Sequence, residues 1–406
     1  MAWTRTILGL LLVICSGCIR ATPTPEPVTI SFAHPEPETE YYQELVQEFN
    51  DSHPHVTIEL RPKNWDMLGG LSTNEEDVFV TSQFASNWLQ EQGQVLNLSP
   101  FIEQDQSFAP SDFYPGTLRL FSKEGKTWGI PAGVDIMVMY YNQDLLDMYA
   151  APYPEIGWTW DDFLNIALTV RDPNADVFGY APNDTPFDPL VFIYQHGGRI
   201  FDDLQNPTTT TFDDPLTIEA VEWYVRLMRE YDVAPTPEQA RAAFGSGGNV
   251  QNGVYLDKVG LWTGMLSEQG GQTWVAEWDM RWGAAPLPRD AQSATLTLVN
   301  GMFISSQTQH PEACWQWLAF VSKQVPYRQT PARRSLAEST EYERQVGGDI
   351  ALVARASMED ALLLSPELVE FEQALGIFGQ AMDAVLSGRS TPEEAMTWAQ
   401  QQSTFR

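Results

Sequence analysis

Residues Gly125–Leu146, GKTWGIPAGVDIMVMYYNQDLL, carry the reading of this chain. A Gly-Lys turn leads into Trp128–Ile130, and Pro131–Gly133 predicts a short irregular stretch of backbone. Ile136–Tyr141 is then an unbroken apolar run, long enough for a buried strand. Asn142 follows and opens a helix-like Gln-Asp-Leu-Leu. Asp135 therefore sits at the mouth of a buried strand. A carboxylate is rare there unless it is paired or used. By spacing alone, a turn acid facing solvent is the plainer reading.

Outward from this stretch the pattern is α/β. Val28–Phe32 reads as a strand, and Tyr42, Leu45, Val46 and Phe49 have helical spacing. Val56, Ile58 and Leu60 alternate as a second strand. Strand–helix–strand of this length is a βαβ unit, which implies a parallel sheet with helices on its faces. Thr159 with Asp162 resembles a capping box before Phe163, Ile166, Ala167 and Val170. Asp214-Pro215 places an N-cap and a first-turn proline before Ala220, Trp223, Tyr224 and Leu227. Thr391-Pro392-Glu393-Glu394 does the same near the C-terminus, and the tail from Pro366 onward reads as helical throughout.

At 406 residues the chain can build two or three domain-sized cores, and 43% hydrophobic residues with 14 Trp make it globular. A formal net charge of −31 argues against nucleic acid as a partner, because phosphates would be repelled. Arg5 precedes an apolar core, Ile7–Ile14, too short to span a bilayer permanently. Cys15-Ser16-Gly17-Cys18 resembles a bacterial lipobox, with Cys15 where leucine is usual. Residues 1–17 then read as a lipoprotein signal peptide and Cys18 as the lipidated residue, anchoring an otherwise soluble protein to the membrane. Residues 18–27, rich in Thr and Pro, read as an extended tether. Removal of Cys15 and acylation of Cys18 would leave only Cys314, so no internal disulfide is expected. Cys314 shares a helical face with Trp317, Leu318 and Val321 and reads as a small buried residue.

Catalytic signatures are missing. The chain has no G-x-S-x-G, H-E-x-x-H, Walker loop or G-x-G-x-x-G. Gly245-Ser246-Gly247-Gly248 lacks the lysine of a phosphate loop and reads as a flexible turn. The 5 histidines have no paired ligand spacing, His53 and His55 being the closest, so neither a metal nor a cofactor is expected. A pair of carboxylates for a glycoside hydrolase is available among 54 acidic residues, but their number makes such a pair uninformative.

A series of short motifs carries a resemblance. The opening stretch fits G-K-x-[YW]-G-x-P followed by [YF]-Y-N-x-D-L-[LF]. Asp77–Val80 fits a P-D-V strand, with Glu76 in place of proline. Leu89–Leu98 fits L-x-x-x-G-x-L-x-x-L, and Thr159–Leu164 fits T-W-[DE]-[DE]-F. Gly197-Gly198, Gly260–Gly264, Ala285–Pro288 and His310–Trp315 complete the series, in order across residues 28 to 400. Together they resemble the extracellular solute-binding proteins of family 1, the sugar-capturing components of ABC importers that include maltose-binding protein.

The resemblance implies a two-lobed periplasmic-binding-protein-like α/β fold of type II, with a hinge and a ligand cleft between the lobes. Carried over, lobe 1 holds residues 28–134 and 301–322, and lobe 2 holds 138–297 and 330–406. The crossings fall near 133–136, 298–301 and 321–330. It also implies a small-molecule solute, a saccharide first, and an ABC permease as partners. The protein would work as a monomer at the outer face of the bacterial membrane and would perform no chemistry. The same fold also suits a polyamine or other cation, or a docking lipoprotein whose cleft has lost its ligand.

Residue by residue, the resemblance points to Asp135, four positions after the motif proline, as the leading ligand contact. Trp262 matches an aromatic platform, its alternative being a core Trp. Thr81, Ser82 and Gln83 fall where the family contacts hydroxyls. Glu36 and Glu38 follow the first strand, where an acidic contact is common. Phe187 is placed to stack or to pack. Of Arg333 and Arg334, Arg334 is the favoured cleft arginine. Trp65, Trp88 and Trp282 could line the cleft too, packing being the plainer reading of each.

Overall fold

The computed structural model describes residues 26–64, 75–183, 185, 187–204, 207–245, 247–271, 276–364 and 369–403. Its strands, in chain order, are β1 (Val28–Pro35), β2 (Val56–Lys63), β3 (Val78–Ser82), β4 (Ser122–Lys123), β5 (Lys126–Thr127) and β6 (Ile130–Asn142). They continue as β7 (Phe178–Ala181), β8 (Val259–Met265), β9 (Trp282–Ala285), β10 (Thr295–Ile304) and β11 (Ala361–Leu363). β4 and β5 form a small hairpin. The others share one sheet in the order β2-β1-β3-β10-β6-β8-β7, with β11 beside β10 and β9 beside β6.

The βαβ expectation holds. β1 and β2 are parallel from Val28↔Val56 to Pro35↔Lys63, joined by the helix Thr39–Ser52, which buries Tyr42, Leu45 and Phe49. The starts of three helices also match. Thr159 closes a capping box with Asp162, the Asp214 side chain accepts from Leu216 N–H, and Thr391 closes a box with Glu394. The tail is helical in two pieces, Val369–Leu386 and Pro392–Gln402. They are parted by a turn in which Gly388 takes a left-handed φ of 77°, while Pro366 lies outside the described residues.

The irregularity expected at Pro131–Gly133 is there, but it does not break the strand: β6 runs for 13 residues from Ile130. A proline has no N–H to give the ladder, and the structure accommodates it at a bulge. Asn300 opposes Gly133 and Gly301 opposes Pro131, so Ala132 is the extra residue.

β6 belongs to both halves of the sheet. Its first part pairs with β10, from Ile130↔Met302 to Ile136↔Thr297. Its second part pairs with β8, from Met137↔Met265 to Tyr141↔Leu261, and with β9. Side chains alternate between the faces of a strand, and here both faces are covered. Val138 and Tyr140 enter one apolar cluster, with Trp262 and Trp278. Met137, Met139 and Tyr141 enter the other, with Phe163, Phe192 and Tyr224. That double burial is why Ile136–Tyr141 shows no polar alternation.

Cys314 is fully buried on the helix Pro311–Val321, as expected, and burial pushes its thiol up to about 12. Cys15, Cys18 and Trp65 lie outside the described residues. Among the described residues no helix is long and apolar enough to cross a membrane.

Candidate functional site at the junction of the two sheet halves

Strand register lines up one edge of the first half-sheet. Ser82, at the end of β3, is level with Asn300, which is level with Gly133. β1 runs parallel to β3 and leads into a 3-10 turn, Glu36–Glu38. Glu36–Glu38, Ser82–Ala85, Asn300 and Gly133–Asp135 therefore share an edge. Strand ends of this kind, where neighbouring connections diverge, are where open α/β sheets bind ligands. From the second half, β8 ends at Met265, and the chain turns so that Ser267 meets Asp135.

Asp135 is held by that turn. The Ser267 backbone N–H donates to one carboxylate oxygen at 3.0 Å and its hydroxyl to the other at 2.6 Å. Burial nevertheless pushes the Asp135 carboxyl up to about 6, although the Ser267 bonds and the charge of Arg328 pull the other way. Desolvation penalises the charged form, and no full counter-ion cancels it here. The next residues, Gln269 (φ −45°, ψ 131°) and Gly270 (φ 71°, ψ 6°), have the angles of a type II turn, whose second central position suits glycine. The Gln269 carbonyl accepts from the Arg328 guanidinium.

A third element closes the site. The Tyr41 hydroxyl donates to the Val325 carbonyl at 3.0 Å, and the Tyr41 and Tyr327 rings lie 6.1 Å apart. Thr330 pairs with Val134, each N–H donating at 2.9 Å. The segment from Val325 to Thr330 is thus pinned between the helix Thr39–Ser52 and β6. At the start of that helix the carboxyl of Glu38 interacts with the Tyr42 hydroxyl, and burial pushes it up to about 8. Glu38 and Asp135 thereby flank one junction.

Other expected contacts go elsewhere. Trp262 is fully enclosed in the middle of β8, between Tyr140 (centroids 5.9 Å, near-parallel) and Trp278 (5.1 Å, edge-on), so it offers no face to a ligand and is a core residue. Gln83 is buried with both ends of its amide engaged: Nε2 donates to the Leu364 carbonyl at 2.7 Å and Oε1 accepts from Val299 N–H at 2.6 Å. Ser82 is buried and caps Phe84 N–H at 3.2 Å, and Thr81 is buried opposite Gly301. Phe187 packs in the second apolar cluster, and Glu36 is exposed.

Neither expected arginine points into the junction. Arg333 is buried between Phe108 and Phe113, with its Nε donating to the Ser322 carbonyl at 2.8 Å. Arg334 is exposed over the Tyr114 ring. The arginine that reaches the junction is Arg328, which sequence reasoning passed over, as it did Ser267, Gln269 and Tyr41. A signal for Ser267–Gly271 was present: a Ser-Glu-Gln-Gly-Gly turn straight after an apolar strand is where functional loops begin. Trp282 packs against Tyr140 and Trp278 as expected, but Trp88 is 52% exposed and does not pack.

A cavity of about 660 Å³ lies elsewhere, lined by Tyr141, Gln143, Glu155, Trp282 and Asp349 among others. Tyr141 is six residues along β6 from Asp135, about 20 Å at strand rise, so this cavity is separate from the junction. Among the described residues no group of three or more His, Cys, Asp or Glu side chains could hold a metal ion.

Comparison with known proteins agrees with this architecture. The family model described as bacterial extracellular solute-binding protein matches residues 35–324. An arabinooligosaccharide-binding protein of Halalkalibacterium halodurans is 27% identical over 148 residues, which are 36% of this chain and only 32% of that protein. A putative binding protein of Brucella abortus is 21% identical over 381 residues, 88% of this chain and 87% of that one. Among solved structures, an ABC substrate-binding protein of Listeria monocytogenes in complex with cycloalternan superposes with a TM-score of 0.75 at 21% identity, covering 93% of this chain and 98% of that one.

Proposed function

The chain belongs to the bacterial extracellular solute-binding proteins, and we propose that its solute is a sugar or oligosaccharide held between two lobes at Asp135. The carrying observation is that Asp135 and Ser267, 132 residues apart in the chain, meet where the two halves of the sheet join. Binding there touches both halves at once, which is the condition for a solute to drive closure.

The chemistry suits hydroxyl-rich solutes. A carboxylate can accept about four hydrogen bonds, and Ser267 supplies two, so Asp135 keeps acceptor capacity for sugar hydroxyls. Arg328 brings N–H donors to the same junction, whereas the one O–H of Tyr41 is already given to the Val325 carbonyl. The arabinooligosaccharide-binding relative and the cycloalternan-bound neighbour support a saccharide over a cation. The known relatives are binding proteins, and in this reading the chain captures and releases its solute without altering it.

The lobes would be residues 28–134 with 301–322, and 138–297 with 330–406. Crossings at 133–136 and 298–301 are supported by the way β6 and β10 pass from one half-sheet toward the other, and one at 321–330 by the Tyr41–Val325 and Thr330–Val134 hydrogen bonds. Delivery would be to an ABC permease. Acylation of Cys18 would hold the monomer at the outer face of the membrane.

The test is thermal unfolding and titration calorimetry of a soluble form starting at Val28, with arabinotriose, maltotriose, mannobiose and spermidine. A solute at a hundred times its Kd stabilises the fold by about 2.7 kcal/mol. Stabilisation by one or more of the sugars is expected, and Asp135→Ala should then weaken binding by roughly 1.5–3 kcal/mol, the worth of a charge-assisted hydrogen bond. A response to spermidine alone would replace the sugar reading with the cationic one.

A further inference from the structure

We propose that Arg328 is a solute-reading residue, and that the chain keeps an arginine in a glycine-like backbone conformation because the guanidinium is needed beside Asp135. This rests on the saccharide reading above and narrows it to sugars that present two adjacent free hydroxyls at that point.

The backbone is the first observation. Arg328 has φ 56°, in the left-handed region that glycine adopts freely and a long side chain does not. Among the described residues the other non-glycine residues in that region are Ala109, Glu124, Ala150, Asp176, Asp232 and Asp257. Three of these are aspartates, which tolerate the conformation, Glu124 stands in the turn of the β4–β5 hairpin, Ala150 follows a short helix, and Ala109 leads into the 3-10 turn Pro110–Asp112. Strain that the surroundings hold in place is a pointer to function when it occurs at a site. Arg328 alone among these residues stands at the Asp135 junction.

Position is the second observation. Arg328 lies within the pinned segment from Val325 to Thr330, between the Tyr41 contact and the Thr330–Val134 bridge. Its side chain spans to Gln269, in the turn that begins with Ser267. Its charge acts on Asp135 and on Tyr140. Arg328 thus joins the 325–330 segment to the turn that holds Asp135 and acts electrostatically on β6. The carbonyl of Gln269 takes one of the five N–H donors of a guanidinium.

The chemistry follows from the pairing. Arg328 only donates and ionised Asp135 only accepts, and both are tied to one turn, Asp135 through Ser267 and Arg328 through Gln269, so together they match a pair of neighbouring hydroxyls. One hydroxyl accepts from Arg328 and the other donates to Asp135. The arginine charge offsets that of Asp135, so the pair favours a neutral diol over an amine. Lysine would retain the charge but not the planar fork.

Arg328→Gly separates this role from a structural one, because glycine removes the strain and the guanidinium together. In the full chain, its unfolding midpoint is expected to equal or exceed that of the parent. Affinity for whichever of arabinotriose, maltotriose and mannobiose the parent binds should fall at least tenfold, about 1.4 kcal/mol. Arg328→Lys should lose affinity by threefold or more. If any of these sugars binds and Arg328→Gly retains that affinity, Arg328 does not read the solute, although the saccharide reading survives. A fall in the unfolding midpoint of Arg328→Gly would make Arg328 a structural clamp and overturn the proposal. If none of arabinotriose, maltotriose and mannobiose binds the parent chain, the saccharide reading and this inference fail together.

Discussion

Asp135 shows how one side chain couples folding to binding. Its carboxyl is raised from 3.8 to about 6 by burial, so as pH climbs the unfolded chain releases this proton before the folded one does. The favourable contribution of the protonated group is complete below the unfolded value and is lost as pH rises from about 4 to about 6. Glu38 has the same sign over a higher window, from 4.5 to about 8. Asp135→Asn, which cannot ionise, should therefore gain stability relative to the parent between pH 4 and pH 7. The upper bound is about 3 kcal/mol, since each tenfold change in proton affinity is worth about 1.36 kcal/mol. Urea unfolding at the two pH values measures it, and an unchanged difference between variant and parent would mean that the Asp135 carboxyl is not raised. Solute affinity in the parent should rise through pH 6 as Asp135 ionises. Asp135 was legible only through the family motif, four positions after its proline, since by spacing alone a solvent-facing turn acid was the plainer reading. Arg328 was not, since an arginine in a turn is ordinary, and Ser267 was signalled only by the Ser-Glu-Gln-Gly-Gly turn after an apolar strand.

Elements meet through a few buried polar links, of which Gln83 is the clearest. Its amide joins β10 at Val299 to the Leu364 carbonyl, 281 residues further along the chain than Gln83 itself. Gln83→Leu would fill similar volume but leave a buried N–H and a buried carbonyl without this partner. A loss of roughly 2–4 kcal/mol is expected, each unsatisfied group costing about 1–3 kcal/mol and the added apolar burial returning some of it. Denaturant unfolding reads the loss directly, and a change below about 1 kcal/mol would show that both groups find other partners. Elements themselves were readable where local chemistry specifies them. Capping boxes at Thr159 and Thr391 use residues three apart, and the strands β1 and β2 announce themselves by their own residues. The continuity of β6 through Pro131 was not readable, because a bulge depends on the partner strand β10.

At the scale of the whole molecule the charge of −31 gives a test of solute class. A neutral sugar should bind with nearly the same affinity at 50 and 500 mM salt, within about twofold, whereas a cation held by carboxylates would weaken markedly as its attraction is screened. Calorimetry at both salt concentrations distinguishes them. The residues alone determined the α/β class, the family resemblance, the helix starts and the acid at position 135, because each rests on short-range periodicity, capping or motif. Tertiary structure alone decided which side chains stand at the junction. Trp262 and Asp135 are both part of motifs, yet Trp262 is enclosed by Tyr140 and Trp278 while Asp135 meets Ser267. Arg333, Arg334 and Arg328 look alike in the chain but end in a core, on a surface and against the turn that holds Asp135. The physical reason is that burial and hydrogen-bond partnership depend on what distant segments bring alongside, and those neighbours are not encoded within a few residues of the group they surround.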